Sequence, residues 1–148
     1  MTAVPIACVQ LPPSLESVPA ARACTTTALR AWGLAATVLD DVALLLTELT
    51  TNAIRHAHGI VGVAVYLDAD LDSQRLIVRV CDEEDAAPHL EHAAFEEEGG
   101  RGLWLVDTIA DRWGWEASGQ HGKVVWFEVV AEGVTVEQFP TEPEPALA

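Results

Sequence analysis

The stretch from Glu48 to Ala57 reads E-L-T-T-N-A-I-R-H-A and sets an acid, an amide and an imidazole at Glu48, Asn52 and His56, each four residues from the last. On a helix that spacing stacks all three on one face. The surrounding segment carries Leu39, Val42, Leu46, Leu49, Ala53 and Ala57 at helical spacing, with Leu45 and Ile54 widening the stripe. The pattern predicts a helix from about Thr37 to His58, closed by Gly59. So wide an apolar face has to be covered by other elements. The polar row leaves two readings open: an exposed stripe on an amphipathic helix, or a set of ligands for something polar held against it. The second reading is a metal-bound nucleotide.

The flanking segments say what covers the helix. Val4, Ile6, Cys8, Val9 and Leu11 form a short apolar run ending at Pro12 and Pro13, which suits an edge strand. Ser17 reads as an N-cap with Pro19 close to the first helical position, for a helix from about Val18 to Trp32 stopped by Gly33. Val61, Val63, Val65 and Leu67 alternate, Asp68 to Ser73 supplies turn chemistry, and Leu76, Val78 and Val80 alternate again up to Asp82. The stretch from Glu83 to Gly100 is acidic and without period, so a long mobile loop is expected, of a length usually tied to function. Helical spacing returns from Arg101 to Arg112 through Leu103, Val106, Ile109 and Ala110. Trp113 to Ala117 and Val124 to Val130 then read as strands joined by a turn from Ser118 to Gly122. The order β-α-α-β-β-loop-α-β-β predicts an α+β fold, with helices on one face of a mixed, mostly antiparallel sheet. One domain is expected over residues 1–131, and a disordered Glu- and Pro-rich tail over 132–148.

The 148 residues suffice for one domain with a real core, and half of them are apolar. A formal charge of −15 argues against direct nucleic-acid binding, whose affinity comes largely from Lys and Arg on phosphates. Partners with basic faces, or small anions in a locally built pocket, stay open. The sequence has no run of about eighteen apolar residues and no basic start leading into an apolar core, so a soluble, unexported chain is expected. Cys8, Cys24 and Cys81 form no C-x-x-C pair and read as reduced cytoplasmic thiols.

Four pieces can carry chemistry. Magnesium is usually held by only one or two protein groups plus phosphates, so a single amide oxygen from Asn52 fits its habit. Glu48, one turn away, can polarise an attacking hydroxyl or water. Asp82 ends a strand, where its carboxylate either accepts from the exocyclic amine of a purine or simply opens a turn. G-G-R-G-L-W-L-V, from Gly99 to Val106, runs three glycines into a helix, placing backbone N–H groups and the positive dipole end for phosphate, with Arg101 adding charge. A plain hinge is the other reading, and neither the P-loop ending nor a dinucleotide spacing is present. The fourth piece, H-G-K-V-V-W-F-E-V from His121 to Val129, reads as a hairpin strand with core Val125 and Phe127.

In this order the four pieces resemble the ATP-binding domain of the GHKL superfamily, the gyrase, heat-shock chaperone, histidine-kinase and mismatch-repair ATPases. The Glu48 stretch is similar to the N-box, V-R-V-C-D (Val78–Asp82) to the entry of the first glycine box, and G-G-R-G-L-W-L-V-D to the second. The closing G-K-V-V-W-F-E-V resembles the stand-alone anti-sigma-factor serine kinases. The resemblance implies the Bergerat fold, a two-layer α/β sandwich with a mobile ATP lid over 83–98, and ATP with Mg2+ as cofactors. It implies Asn52 as the magnesium ligand, Glu48 as catalytic base, Asp82 on adenine and His56 beside the nucleotide. Gly100, Arg101, Gly102 and Leu103 would lie under the phosphates. It further implies phosphorylation of a Ser on a STAS-type anti-sigma antagonist, a sigma factor as second partner, a possible homodimer, a bacterial cytoplasm and no membrane. The sequence shows no dimerisation helix with a phospho-acceptor His and no transducer domain, which disfavours the histidine-kinase and gyrase-like branches. Two departures stand out: D-E-E from Asp82 to Glu84 where the family reads D-x-G, and Val124 where Thr usually follows G-K. They imply weaker ATP binding and keep a second class open, a partner-binding module of this fold with weak or lost nucleotide binding and no kinase activity.

Overall fold

Strand alternation decides the layers of this molecule. The structure, a computed structural model, describes residues 3–56, 59–69, 74–83, 98–117 and 122–131. Its elements are β1 (Ala3–Leu11), α1 (Ser17–Ala31), α2 (Ala36–His56), β2 (Val61–Ala69), β3 (Gln74–Asp82), α3 (Glu98–Ile109), β4 (Arg112–Ala117) and β5 (Lys123–Val130). They form an α+β fold with one five-stranded open sheet in the order β1-β2-β3-β5-β4. Every described pairing is antiparallel, the limiting case of the mostly antiparallel sheet expected. β1 is the edge strand its prolines foretell. Of the lid expected over 83–98, residues 84–97 lie outside the described residues, as does the tail expected from Glu132, while Glu98 opens α3.

One face of the sheet is apolar. Val61, Val63, Val65 and Leu67 of β2 are at most 2% exposed. Leu76, Val78 and Val80 of β3 and Val125, Phe127 and Val129 of β5 join them in the core cluster. Each such side chain contributes about 1.5–3 kcal/mol relative to leaving it in water. α2 covers β2, β3 and β5, while α1 lies against β1 and α2, and α3 against α2 and β4. The predicted stripe of α2 is the one buried: Leu39, Val42, Leu45, Leu46, Leu49, Ala53 and Ile54. Thr50 is buried among them, and its hydroxyl donates to the Leu46 carbonyl at 2.6 Å, which satisfies it within the helix. The other sheet face carries polar pairs such as Arg79–Glu116 and Arg75–Glu128, both at 3.3 Å.

Helix ends depart from expectation in two places. α1 begins at Ser17 itself, after Glu16, which makes no side-chain capping bond. A preceding turn does the work instead, with the Ser17 N–H donating to the Ser14 carbonyl at 2.9 Å and Val18 to Leu15 at 3.2 Å. The C-terminus follows expectation. Gly33, at φ 81°, donates to the Arg30 carbonyl, and Leu34 donates to that of Leu29, a Schellman closure. α3 starts at Glu98 rather than Arg101, because glycines add no apolar period by which a first turn is recognised. It ends at Ile109 rather than Arg112, since Arg112 already pairs with Glu128 across the sheet.

Gly122 shapes the start of β5. Its φ is +92°, and a Cβ there would run into the Asp82 carbonyl oxygen and lie 3.2 Å from the Glu83 Cα. At Gly33, also left-handed, a Cβ would meet nothing within 4 Å. Gly33→Ala is expected to lose about 1–2 kcal/mol from the left-handed backbone alone. Gly122→Ala carries the same backbone cost plus displacement of the β3 end, and is expected to lose more. Urea unfolding of both variants checks the order; an equal loss at the two sites would contradict the close approach at Gly122.

Candidate active site

Chain geometry brings the end of α2, the end of β3 and the start of β5 to one edge of the sheet. Gly62 pairs with Cys81 and Asp82 with Lys123, so β2 begins where β3 ends and β5 starts. The Glu83 carboxylate lies directly against Gly59, which leads from α2 into β2. His56, exposed in the last turn of α2, is three residues before that contact. Asn52 and Glu48, both half-buried, lie one and two turns back along the helix, about 6 and 12 Å from His56 at 1.5 Å per residue. The polar row therefore runs from mid-helix to the sheet edge that holds Asp82.

Asp82 is in step with Leu76, Val78 and Val80, so its carboxylate turns to the helix side and is buried. Lys123 is in step with Val125, Phe127 and Val129 and turns the same way. Their side chains, 2% and 6% exposed, form an ion pair with Lys123 Nζ 3.2 Å from Asp82 Oδ1. Val124 falls on the opposite face, in register with Cys81 and Glu116. Of the closing motif, the residue beside Asp82 is therefore Lys123, and Val124 points away from it. A Lys in phase with three core residues was the available signal, since a cation on a buried face needs a partner.

α3 leads through Ala110 and Asp111 into β4, whose first residue pairs with Glu128 and whose last, Ala117, pairs with Lys123. α3 packs on α2 and against β4. Gly100, Arg101, Gly102 and Leu103 thus lie inside a helix rather than ahead of one. Helical geometry leaves the N–H groups of Glu98, Gly99 and Gly100 without intrahelical acceptors and commits those that follow. Only Gly100 of the four keeps a first-turn donor for an anion.

Among the described residues no group of three or more His, Cys, Asp or Glu could hold a metal. Asn52, half-buried on α2, carries an amide oxygen of the kind Mg2+ takes alongside phosphates and waters. Cys81 faces the other side of the sheet, where with Gln10, Gly62, Asp82 and Glu83 it lines a shallow cavity of about 310 Å³. Burial pushes its thiol pKa above the ordinary value, Arg79 pulls it partly back, and Asp82 and Cys8 add to the rise. No described helix is long and apolar enough to cross a membrane.

The family profile described as histidine kinase-like ATPase domain matches residues 11–129, a span that contains every piece of this edge. The chain belongs to the histidine kinase-like ATPase domain family. Domains of this family bind ATP, which makes the edge where α2, β3 and β5 meet the candidate nucleotide site. Comparison with curated proteins finds no significant match.

The ion pair itself is testable through stability. Lys123→Met leaves a buried carboxylate without its cation and is expected to cost about 3–5 kcal/mol. Asp82→Leu combined with Lys123→Met removes both charges and is expected to recover most of that loss. Denaturant unfolding of the single and double variants decides, and additive losses would rule the pairing out.

Proposed function

We propose that the chain is an ATP-dependent protein serine kinase of the anti-sigma type. The observation that carries the reading is the convergence of the Glu48–Asn52–His56 row and the buried Asp82 on one sheet edge, with α3 packed on α2. In this reading Asp82 accepts from the exocyclic amine of adenine, and Asn52 lends its amide oxygen to Mg2+. The N–H groups opening α3, with Arg101 near them, receive phosphate oxygens. His56 flanks the nucleotide at the helix end. When bound, Mg2+ neutralises phosphate charge. Glu48, half-buried on α2, takes the proton from an incoming Ser hydroxyl as its oxygen bonds to the terminal phosphorus and ADP departs.

The Ser belongs to a STAS-type anti-sigma antagonist, and a sigma factor is the second partner, released or retained according to the antagonist's phosphorylation. A cytoplasmic setting and a homodimer go with this reading. The overall charge of −15 supports protein partners rather than nucleic acid. One observation favours a second reading, a partner-binding module with weak nucleotide affinity and no kinase activity: the Asp82 carboxylate is already engaged by Lys123.

Incubation with Mg2+, labelled ATP and candidate antagonists separates the two. The kinase reading expects label on an antagonist Ser, with transfer reduced at least about a hundredfold in Glu48→Gln and abolished in Asn52→Ala. No transfer to any antagonist, or transfer undiminished by Asn52→Ala, would sink the kinase reading and leave the module.

A further inference from the structure

We propose that Lys123 sets the base affinity of the site by competing with the exocyclic amine of an aminopurine for the Asp82 carboxylate. The proposal rests on the nucleotide reading above and deepens it, because it names the group in this chain that contests the base contact.

Three observations carry it. The ammonium stands 3.2 Å from Asp82 Oδ1 in a cross-strand register pair, so the contact is built into the sheet. Gly122, with its backbone against the Asp82 carbonyl, lies just before β5, and Val124 pairs with Cys81, so Lys123 is held beside Asp82 from both sides. Finally, the two side chains are only 2% and 6% exposed, so an amine that reaches the carboxylate meets the ammonium already bound there and has to displace it or share the carboxylate with it.

The chemistry then sets the direction. A charged N–H donor to a carboxylate is roughly twice as strong as a neutral one. The amine of adenine is neutral, so against Lys123 it is the weaker claimant. A neutral hydroxyl at position 123 would leave Asp82 a hydrogen-bond donor and yield more readily. The effect is specific to bases with an amine at that edge. A 6-oxo purine presents an acceptor there, which the carboxylate cannot serve and the Lys123 ammonium can, so removing the ammonium brings it no gain.

Titration calorimetry of the full chain and of Lys123→Thr with ATP, ADP and ITP tests this. ATP and ADP affinities are expected to rise about tenfold in the variant, the equivalent of roughly one charged hydrogen bond no longer contested. ITP affinity is expected not to rise. Lys123→Gln, which keeps an N–H donor without the full charge, is expected to move the same way by less and serves if the Thr variant fails to fold. An ATP affinity that stays level or falls, or that rises together with ITP, overturns the role of Lys123. If neither the full chain nor a folded variant binds ATP at millimolar concentration, the nucleotide reading falls with it, a result distinct from binding that is present and indifferent to position 123.

Discussion

Because side chains in a strand alternate between faces, a sheet covered on one side only has to place its apolar residues at every second position, and the rest of this structure depends on that constraint. β2, β3 and β5 meet it with Val, Leu and Phe in phase under α2. The same phase continues to the strand ends, where it carries Asp82 and Lys123 onto the buried face. A charge delivered there by register has to be neutralised by what register places opposite. The two residues pair across β3 and β5, so the sheet that builds the core also builds a buried ion pair at the candidate site.

α2 joins core to chemistry in a single element. Its apolar stripe fixes the rotation of the helix on the sheet, and that rotation fixes where Glu48, Asn52 and His56 stand. Gly59 and Gly122 then let the end of β3 come close on both sides, one against the Glu83 side chain and the other against the Asp82 backbone. Membership of the histidine kinase-like ATPase domain family accounts for this convergence as the frame of an ATP site.

Much of the frame was legible because it depends on short-range period. The α2 stripe, the β2–β3 hairpin and the edge position of β1 all follow from patterns within about a dozen residues. The start of α3 did not follow, since glycines at Gly99, Gly100 and Gly102 look like a loop to any reading of hydropathy. Nor did the N-terminus of α1, where a backbone turn from Ser14 replaces the side-chain cap that Ser17 suggests. In both cases the deciding hydrogen bonds are made by backbone, which carries no residue-specific signal.

The sequence by itself determined that an acid, an amide and an imidazole share one helix face, and that glycine and Asp motifs follow in an order suited to a nucleotide. Those are properties of spacing, and spacing is local. Only the tertiary structure decided which residue of the closing motif meets Asp82. Shifting the pairing of β5 by one residue would exchange Lys123 for Val124 at that spot and turn the charge to the opposite face. That choice is made by long-range strand register, settled when Val125, Phe127 and Val129 find the core under α2.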